Sequence, residues 1–297
     1  MDTLLIVFIH GFLGRSTNFF TFPDSLRREL SKTHSKVKTI VYPTYDTIGD
    51  LSDAVVYFNR WLKERVNERK QDGGSVKAAL CGHSMGGLLM ADALLRLQGE
   101  RKGNAQLFPQ IIACIAFDTP VSWFCGVSWQ FLIRTSVLRY REASFHVAFC
   151  ANSVGCPRTL YKVSEAHMAE LLDDMLGVDR KAGTIAKVGG LGRILGRICY
   201  ALDIFDPAQR EKRNEGMIKM EKEHGLIFRV FYQTGPVRTF IEVPSRHENH
   251  WKPAPNDMPN NVILGHLTMF HEAFNDNRPK LLQETVEVIK TAVRRNA

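Results

Sequence analysis

Long apolar runs are missing from this sequence. No stretch reaches the roughly 18 consecutive apolar residues that a membrane-spanning helix needs. The first apolar run, Leu4 to Ile9, is only six residues long and follows Asp2 rather than a basic segment. That is not the pattern of a secretory signal peptide. The run therefore predicts a first core strand rather than a membrane or export segment.

Cysteine patterns that would indicate disulfides or metal sites are missing too. The six cysteines include no C-x-x-C pair and no disulfide-scaffold spacing, and two of them, Cys81 and Cys114, lie inside apolar segments. Such cysteines are typical of reduced thiols, so we expect a cytoplasmic protein. No metal-ligand cluster and no cofactor motif stands out, and neither a metal nor a cofactor is predicted.

Blocks of basic residues are also lacking. The formal net charge is +8, but no Lys/Arg block or aromatic-basic pattern indicates nucleic-acid binding. A moderate positive charge is compatible with peripheral attraction to an anionic membrane. The 44% hydrophobic and 24% charged content over 297 residues is typical of a globular protein that can form one α/β domain.

The most specific motif lies in residues 76–97. A short apolar run predicts a strand, Gly82-His83-Ser84-Met85-Gly86 follows it, and Leu88, Ala91 and Leu95 then recur at helical spacing. Strand, G-x-S-x-G turn and helix together are the context of a nucleophile elbow. In such an elbow the strand and helix backbones pass too closely for side chains at the glycines. Ser84 is therefore the predicted nucleophile.

A second glycine turn follows the first strand, at His10-Gly11. Serine hydrolases place half of their oxyanion hole at such a turn. The predicted donors are the backbone N–H groups of Phe12 and of Met85, the residue after the nucleophile.

Strands and helices alternate along the first part of the chain. Helices are expected over Pro23–Leu30 and after Asp50, and strands over Val37–Tyr42 and Ile111–Phe117. This alternation predicts an α/β fold with a mostly parallel sheet and helices on both faces. After residues 121–225 the pattern predicts two strands, Ile227–Tyr232 and Arg238–Val243, joined at Gly235-Pro236. A proline-rich loop and a last helix, Lys280–Val293, are expected to follow.

Residues 121–225 interrupt the pattern, so we expect a single domain, 1–297, with an inserted helical cap over 121–225. The stretch 123–138 is rich in aromatic residues, and 183–202 combines glycines with basic residues. Both are candidates for contact with substrate or with a membrane. The alternative is a cap that only packs on the core. Asp206-Pro207 predicts the start of a helix that ends at Gly225.

A nucleophilic serine needs a base, and the base needs an acid that orients it. Gly265-His266 lies late in the chain, where the order Ser, acid, His would place the base, and suits a loop over the sheet edge. We choose His266, with His271 as the second choice.

The acid is less determined by the sequence. Asp118 follows directly after the strand Ile111–Phe117, at the end of the sheet where catalytic groups collect. It is also the position used in pancreatic-type lipases. Asp257 and Glu242 are the alternatives, and Asp118 could instead be a structural carboxylate that caps the Thr119-Pro120 turn.

The sequence resembles the lipase-like serine hydrolases of the α/β-hydrolase superfamily, especially uncharacterised fungal members. The resemblance rests on residues 7–14, 42–51, 81–87, 116–120, 238–244 and 265–270. It implies an α/β-hydrolase fold and hydrolysis of acyl esters, with Ser84 as nucleophile, His266 as base, and Phe12 and Met85 as oxyanion donors.

These patterns together predict a serine esterase or lipase that cleaves a lipid-like carboxylic ester through Ser84, His266 and Asp118. The same groups could cleave a thioester or an amide. The alternative hypothesis is a hydrolase-fold protein with a weak or lost activity that binds membranes or lipids through its cap.

Overall fold

A single parallel sheet organises the described part of the chain. The computed structural model describes residues 2–11, 14–45, 51–70, 74–101, 108–119, 123–124, 207–234, 239, 241–243, 248–256 and 262–297. The strands are β1 (Thr3–Ile9), β2 (Val37–Val41), β3 (Val76–His83), β4 (Gln110–Phe117), β5 (Trp123–Phe124), β6 (Ile227–Thr234), β7 (Ile241–Glu242) and β8 (Trp251–Pro255). Six of them form the sheet in the order β2-β1-β3-β4-β6-β8, and every neighbouring pair is parallel.

Helices follow several of these strands. They are α1 (Phe22–Ser31), α2 (Leu51–Lys70), α3 (Met85–Gly99), α4 (Pro207–His224), α5 (Val262–Thr268) and α6 (Arg278–Arg295), with short 3-10 helices at Ser16–Phe19 and Glu248–His250. Among the residues described, no helix has the length and apolar character needed to cross a membrane.

Both faces of the sheet are covered by helices. Along β1, the alternate residues Leu4, Ile6 and Phe8 join one hydrophobic cluster with the buried faces of α1 and α6. Neighbouring side chains of a strand point to opposite faces, and the intervening residues of β1 are fully buried as well. On that second face α3 packs against β3, α2 and α4. Because both faces are buried, the sequences of the central strands are continuous apolar runs.

Most of the predicted elements are confirmed. The helix predicted after Asp50 is α2, which buries the apolar residues Leu51, Val55, Phe58, Leu62 and Val66, and α3 begins directly after the nucleophile turn. The helix predicted from Pro207 ends at His224, immediately before Gly225, which has φ +68°. Asp50 and most of the predicted cap, 121–225, lie outside the described residues, so the cap and the single-domain organisation stay predictions.

Three expectations for the C-terminal third are corrected. The proline-rich segment contains a strand, β8, which is tolerated because β8 lies at the sheet edge, where proline's missing N–H does little harm. Among the described residues of the predicted strand 238–243, Ile241–Glu242 form the strand, and it pairs antiparallel with β5 in a separate two-stranded sheet. His266 lies in the short helix α5 rather than on a loop.

The glycines of the nucleophile turn allow β1, β3 and α3 to meet at backbone distance. A Cβ at Gly82 would lie 2.5 Å from the Cα of Gly87, and a Cβ at Gly86 would overlap the carbonyl oxygen of Ile9. No side chain can move aside to relieve a clash between backbones. The turn therefore depends on glycine at both positions.

Replacing Gly86 should consequently destabilise the whole domain. We expect Gly86→Ala to lower the free energy of unfolding by about 3 kcal/mol, the upper part of the usual range for overpacking. Gly99→Ala is the matched control, because a Cβ at Gly99 would meet no atom within 4 Å. Alanine there should change stability by less than about 1 kcal/mol. Urea unfolding measures both, and equal effects of the two substitutions would contradict the packing described here.

Candidate active site

Ser84 follows β3 at a sharp turn into α3. Its backbone has φ 54° and ψ −127°, a conformation that side-chain-bearing residues rarely adopt. The Ser84 N–H donates to the carbonyl oxygen of Phe117, 2.9 Å away, so the turn remains tied to the neighbouring strand. The residue is only partly buried. A strained, anchored and accessible serine between strand and helix is the geometry of a nucleophile elbow.

The turn after β1 lies directly beside this serine. A Cβ at Gly11 would lie 2.8 Å from the Ser84 Cβ and 3.3 Å from its hydroxyl oxygen. Only glycine allows the β1 turn to approach the serine so closely. Phe12, the first predicted oxyanion donor, lies outside the described residues. Met85, the second, is the first residue of α3, where backbone N–H groups have no acceptor in a preceding helical turn.

Contacts with a neighbouring loop fix His10 at the start of this turn. The Tyr45 hydroxyl donates to the His10 carbonyl oxygen at 3.0 Å, and the two rings stack with centroids 4.7 Å apart. The His10 Nε2 lies 3.3 Å from the carbonyl oxygen of Pro43. Burial lowers the pKa of His10 despite these backbone contacts, which favours the neutral ring.

Asp118 follows β4 in the same way that Ser84 follows β3. Its φ is also positive, at 48°, and its N–H donates to the Phe231 carbonyl oxygen on the next strand. The side chain is 0% exposed, yet both carboxylate oxygens have partners. Oδ1 accepts the backbone N–H of Gln233 at 2.9 Å, and Oδ2 lies 2.7 Å from Nδ1 of His266. A buried carboxylate requires such partners.

His266 receives its position from several elements at once. Its side chain is also buried, and its Nδ1–H donates to the Asp118 carboxylate. The ring of His83, the residue just before Ser84, stacks on the His266 ring with centroids 4.5 Å apart and planes at 28°. The His83 Nε2–H donates to the His266 carbonyl oxygen at 3.2 Å. The structure thus brings Asp118 and His266 together beside the serine turn.

Asp257 and the side chain of Glu242, the alternatives for the acid, lie outside the described residues. His271, the alternative for the base, is described. The His271 ring packs against Phe20 and Phe274, with both pairs of centroids 4.5 Å apart, whereas His266 contacts Asp118.

Two groups that support the site, the Gln233 N–H and the His83 side chain, were not predicted from the sequence. The loop after β6 holds no acid, but the backbone N–H of Gln233 in β6 orients Asp118. A backbone donor leaves no signature in a sequence. His83 occurs inside the recognised G-x-S-x-G motif, and its alternation with Cys81 places it on the face of α1 and α6. That pattern could have indicated a side chain directed toward a residue packed on this face.

Comparisons with known proteins bear on the fold and on the class of chemistry. Residues 2–149 match the protein family described as "Putative serine esterase (DUF676)". One similar solved structure is a carboxylesterase of the ammonia-oxidizing thaumarchaeon Nitrososphaera gargenis, with a TM-score of 0.57 and 13% identity over 97% of this chain and 92% of that chain. Another is the peroxisomal α/β-hydrolase Lpx1 of Saccharomyces cerevisiae, with a TM-score of 0.50 and 12% identity over 100% of this chain and 78% of that chain. No curated protein sequence matches the chain.

The chain has the α/β-hydrolase fold. The parallel sheet and the two structural similarities show this fold, as the sequence predicted. The family match over 2–149 includes Ser84 and Asp118 and supports a serine hydrolase that acts on esters. The closer resemblance to fungal members stays a prediction.

The buried histidines should make the fold sensitive to acid. Burial, followed by the nearby His266, lowers the pKa of His83 well below 6.5. Below pH 6.5 the unfolded chain therefore binds a proton at His83 that the folded chain does not, and stability falls as pH falls. The slope for one group is on the order of 1 kcal/mol per pH unit.

We expect wild type to lose stability more steeply than His83→Gln between pH 6.5 and about pH 5. Urea unfolding at a series of pH values measures both slopes, and His10 contributes equally to each protein. Identical slopes would mean that His83 titrates normally in the folded protein.

Proposed function

We propose that the protein is a serine esterase that cleaves acyl esters through Ser84, His266 and Asp118. The observation that carries the proposal is the buried pair of Asp118 and His266, with Oδ2 and Nδ1 2.7 Å apart, held beside the turn that presents Ser84. Orienting an imidazole with a buried carboxylate is the requirement for a base that activates a serine.

The hydrogen bond between Asp118 and His266 determines which nitrogen acts as the base. With Nδ1–H donating to the carboxylate, the neutral ring carries its lone pair on Nε2. Nε2 takes the hydroxyl proton as the Ser84 oxygen attacks the ester carbonyl carbon. Asp118 stabilises the imidazolium that forms and keeps its own negative charge.

Backbone N–H groups would stabilise the negative charge on the attacked carbonyl oxygen. Met85 at the beginning of α3 is one proposed donor, and its place at a helix N-terminus adds favourable electrostatics. Phe12 is the other, and the contact of Gly11 with Ser84 supports a donor at the following residue. His266 then returns its proton to the leaving alcohol, and water activated by the same histidine releases the acid.

The acyl group that we propose is lipid-like. This finer part rests on composition, because the aromatic stretch 123–138 belongs to the predicted cap and would provide an apolar surface for an acyl chain. The glycine-rich basic stretch 183–202 is the proposed site of peripheral membrane contact. Apart from residues 123 and 124, both stretches lie outside the described residues.

Hydrolysis of p-nitrophenyl esters of increasing acyl length tests the proposal. Wild type should turn over at least part of the series with a preference for longer chains. Ser84→Ala should lower kcat by about 10⁶-fold, to the background rate. A matching series of thioesters tests the alternative acyl donor.

Turnover that survives in Ser84→Ala would contradict the assignment. A folded wild type that hydrolyses no member of the series but binds liposomes would favour a membrane-binding protein with the fold of a hydrolase.

A further inference from the structure

His83 is buried beside the reacting groups and has no part in the mechanism just described. Its ring stacks on His266 and packs in a T-shaped arrangement with the rings of Phe270 and Phe19, with centroids 5.3 and 6.4 Å apart. A polar ring in so apolar a place needs a hydrogen-bond partner, and the His266 carbonyl oxygen provides it.

The helix that carries His266 cannot hold its position by itself. The helix α5 has seven residues, about two turns, and a helix of that length is unstable unless tertiary contacts hold it. Side chains from outside the helix bind carbonyl oxygens in its last turn and just after its end. Asn256 donates to Gly265, Asn275 to Met269 and Arg278 to Phe270, at 2.9, 2.7 and 2.8 Å.

His83 supplies the corresponding bond to His266 itself. It differs from the other three donors in its place in the chain, because it directly precedes Ser84. The elbow and the base are therefore linked through one side chain. A shift of the elbow would move His83 and, through its hydrogen bond and its stacked ring, His266 as well.

We infer that His83 is a positioning residue, which sets the distance between Ser84 and His266 by binding the His266 backbone and ring from the end of β3. The inference rests on the proposed function. His83 exchanges no proton with substrate and acts only through His266. Its neutral form suits this role, since a second positive charge against the ring would oppose formation of the imidazolium.

Two substitutions separate positioning from packing. His83→Gln keeps an amide N–H near the place of Nε2, whereas His83→Met has a similar volume and no N–H donor. Both lose the ring, so the difference between them reports the hydrogen bond. We expect His83→Met to lower kcat by about 10- to 100-fold, the effect of a small misplacement of a catalytic group. KM should change by less than about twofold, and His83→Gln should recover most of kcat.

A second measurement does not depend on turnover. The proton on His266 Nδ1, which is held against the Asp118 carboxylate, should give a low-field proton NMR signal in wild type and in His83→Gln. In His83→Met this signal should weaken or disappear through exchange, while the unfolding midpoint shows that the variant remains folded at the assay temperature.

The outcomes distinguish this inference from the proposed function. A signal and a kcat that are unchanged in His83→Met would overturn the positioning role. Equal losses in the Gln and Met variants, in proportion to their loss of stability, would make His83 a packing residue only. Wild type with the NMR signal but no ester turnover would instead count against the proposed function.

Discussion

The site depends on one constraint, the parallel hydrogen-bond ladder that continues past the ends of the strands. Ser84 and Asp118 are each the first residue after a strand, each with positive φ, and each donates its N–H to the last part of the neighbouring strand. Parallel strands end at the same edge, so these two turns lie side by side. The hydrogen bonds to the neighbouring strands therefore hold both strained turns in place.

Burial strengthens the interaction between Asp118 and His266. A carboxylate with no exposed surface is retained because the Gln233 N–H and the His266 ring bind it. In such surroundings hydrogen bonds to a charge are stronger than in water. The same burial keeps His83 neutral beside His266, so the one positive charge that the proposed reaction creates forms next to the carboxylate. Structure and proposed chemistry thus depend on the same exclusion of water.

The turn at Ser84 could be predicted from the sequence, because its close backbone contacts require glycine at 82 and 86 and so leave a local pattern. The contact between Asp118 and His266 agrees with the expectation that an acid at the carboxyl end of β4 lies at the same edge of the sheet as the other site residues. By contrast, β8 was missed because prolines usually exclude a strand, and only its place at the sheet edge permits one. His83 and His266 are 183 positions apart, and the alternation along β3 indicates the face on which His83 lies but not the residue that it contacts.

The most direct test of this account is the rate at which a fluorophosphonate labels Ser84 in Asp118→Asn, compared with Asp92→Asn. Asp92 is the matched control, because it lies within α3 and pairs with Arg213 rather than with the site. With peptide mapping to locate the label, we expect Asp118→Asn to react about 10⁴-fold more slowly than wild type and Asp92→Asn to react at the wild-type rate. Labelling of Ser84 at the wild-type rate in folded Asp118→Asn would contradict the claim that Asp118 orients the base that activates this serine.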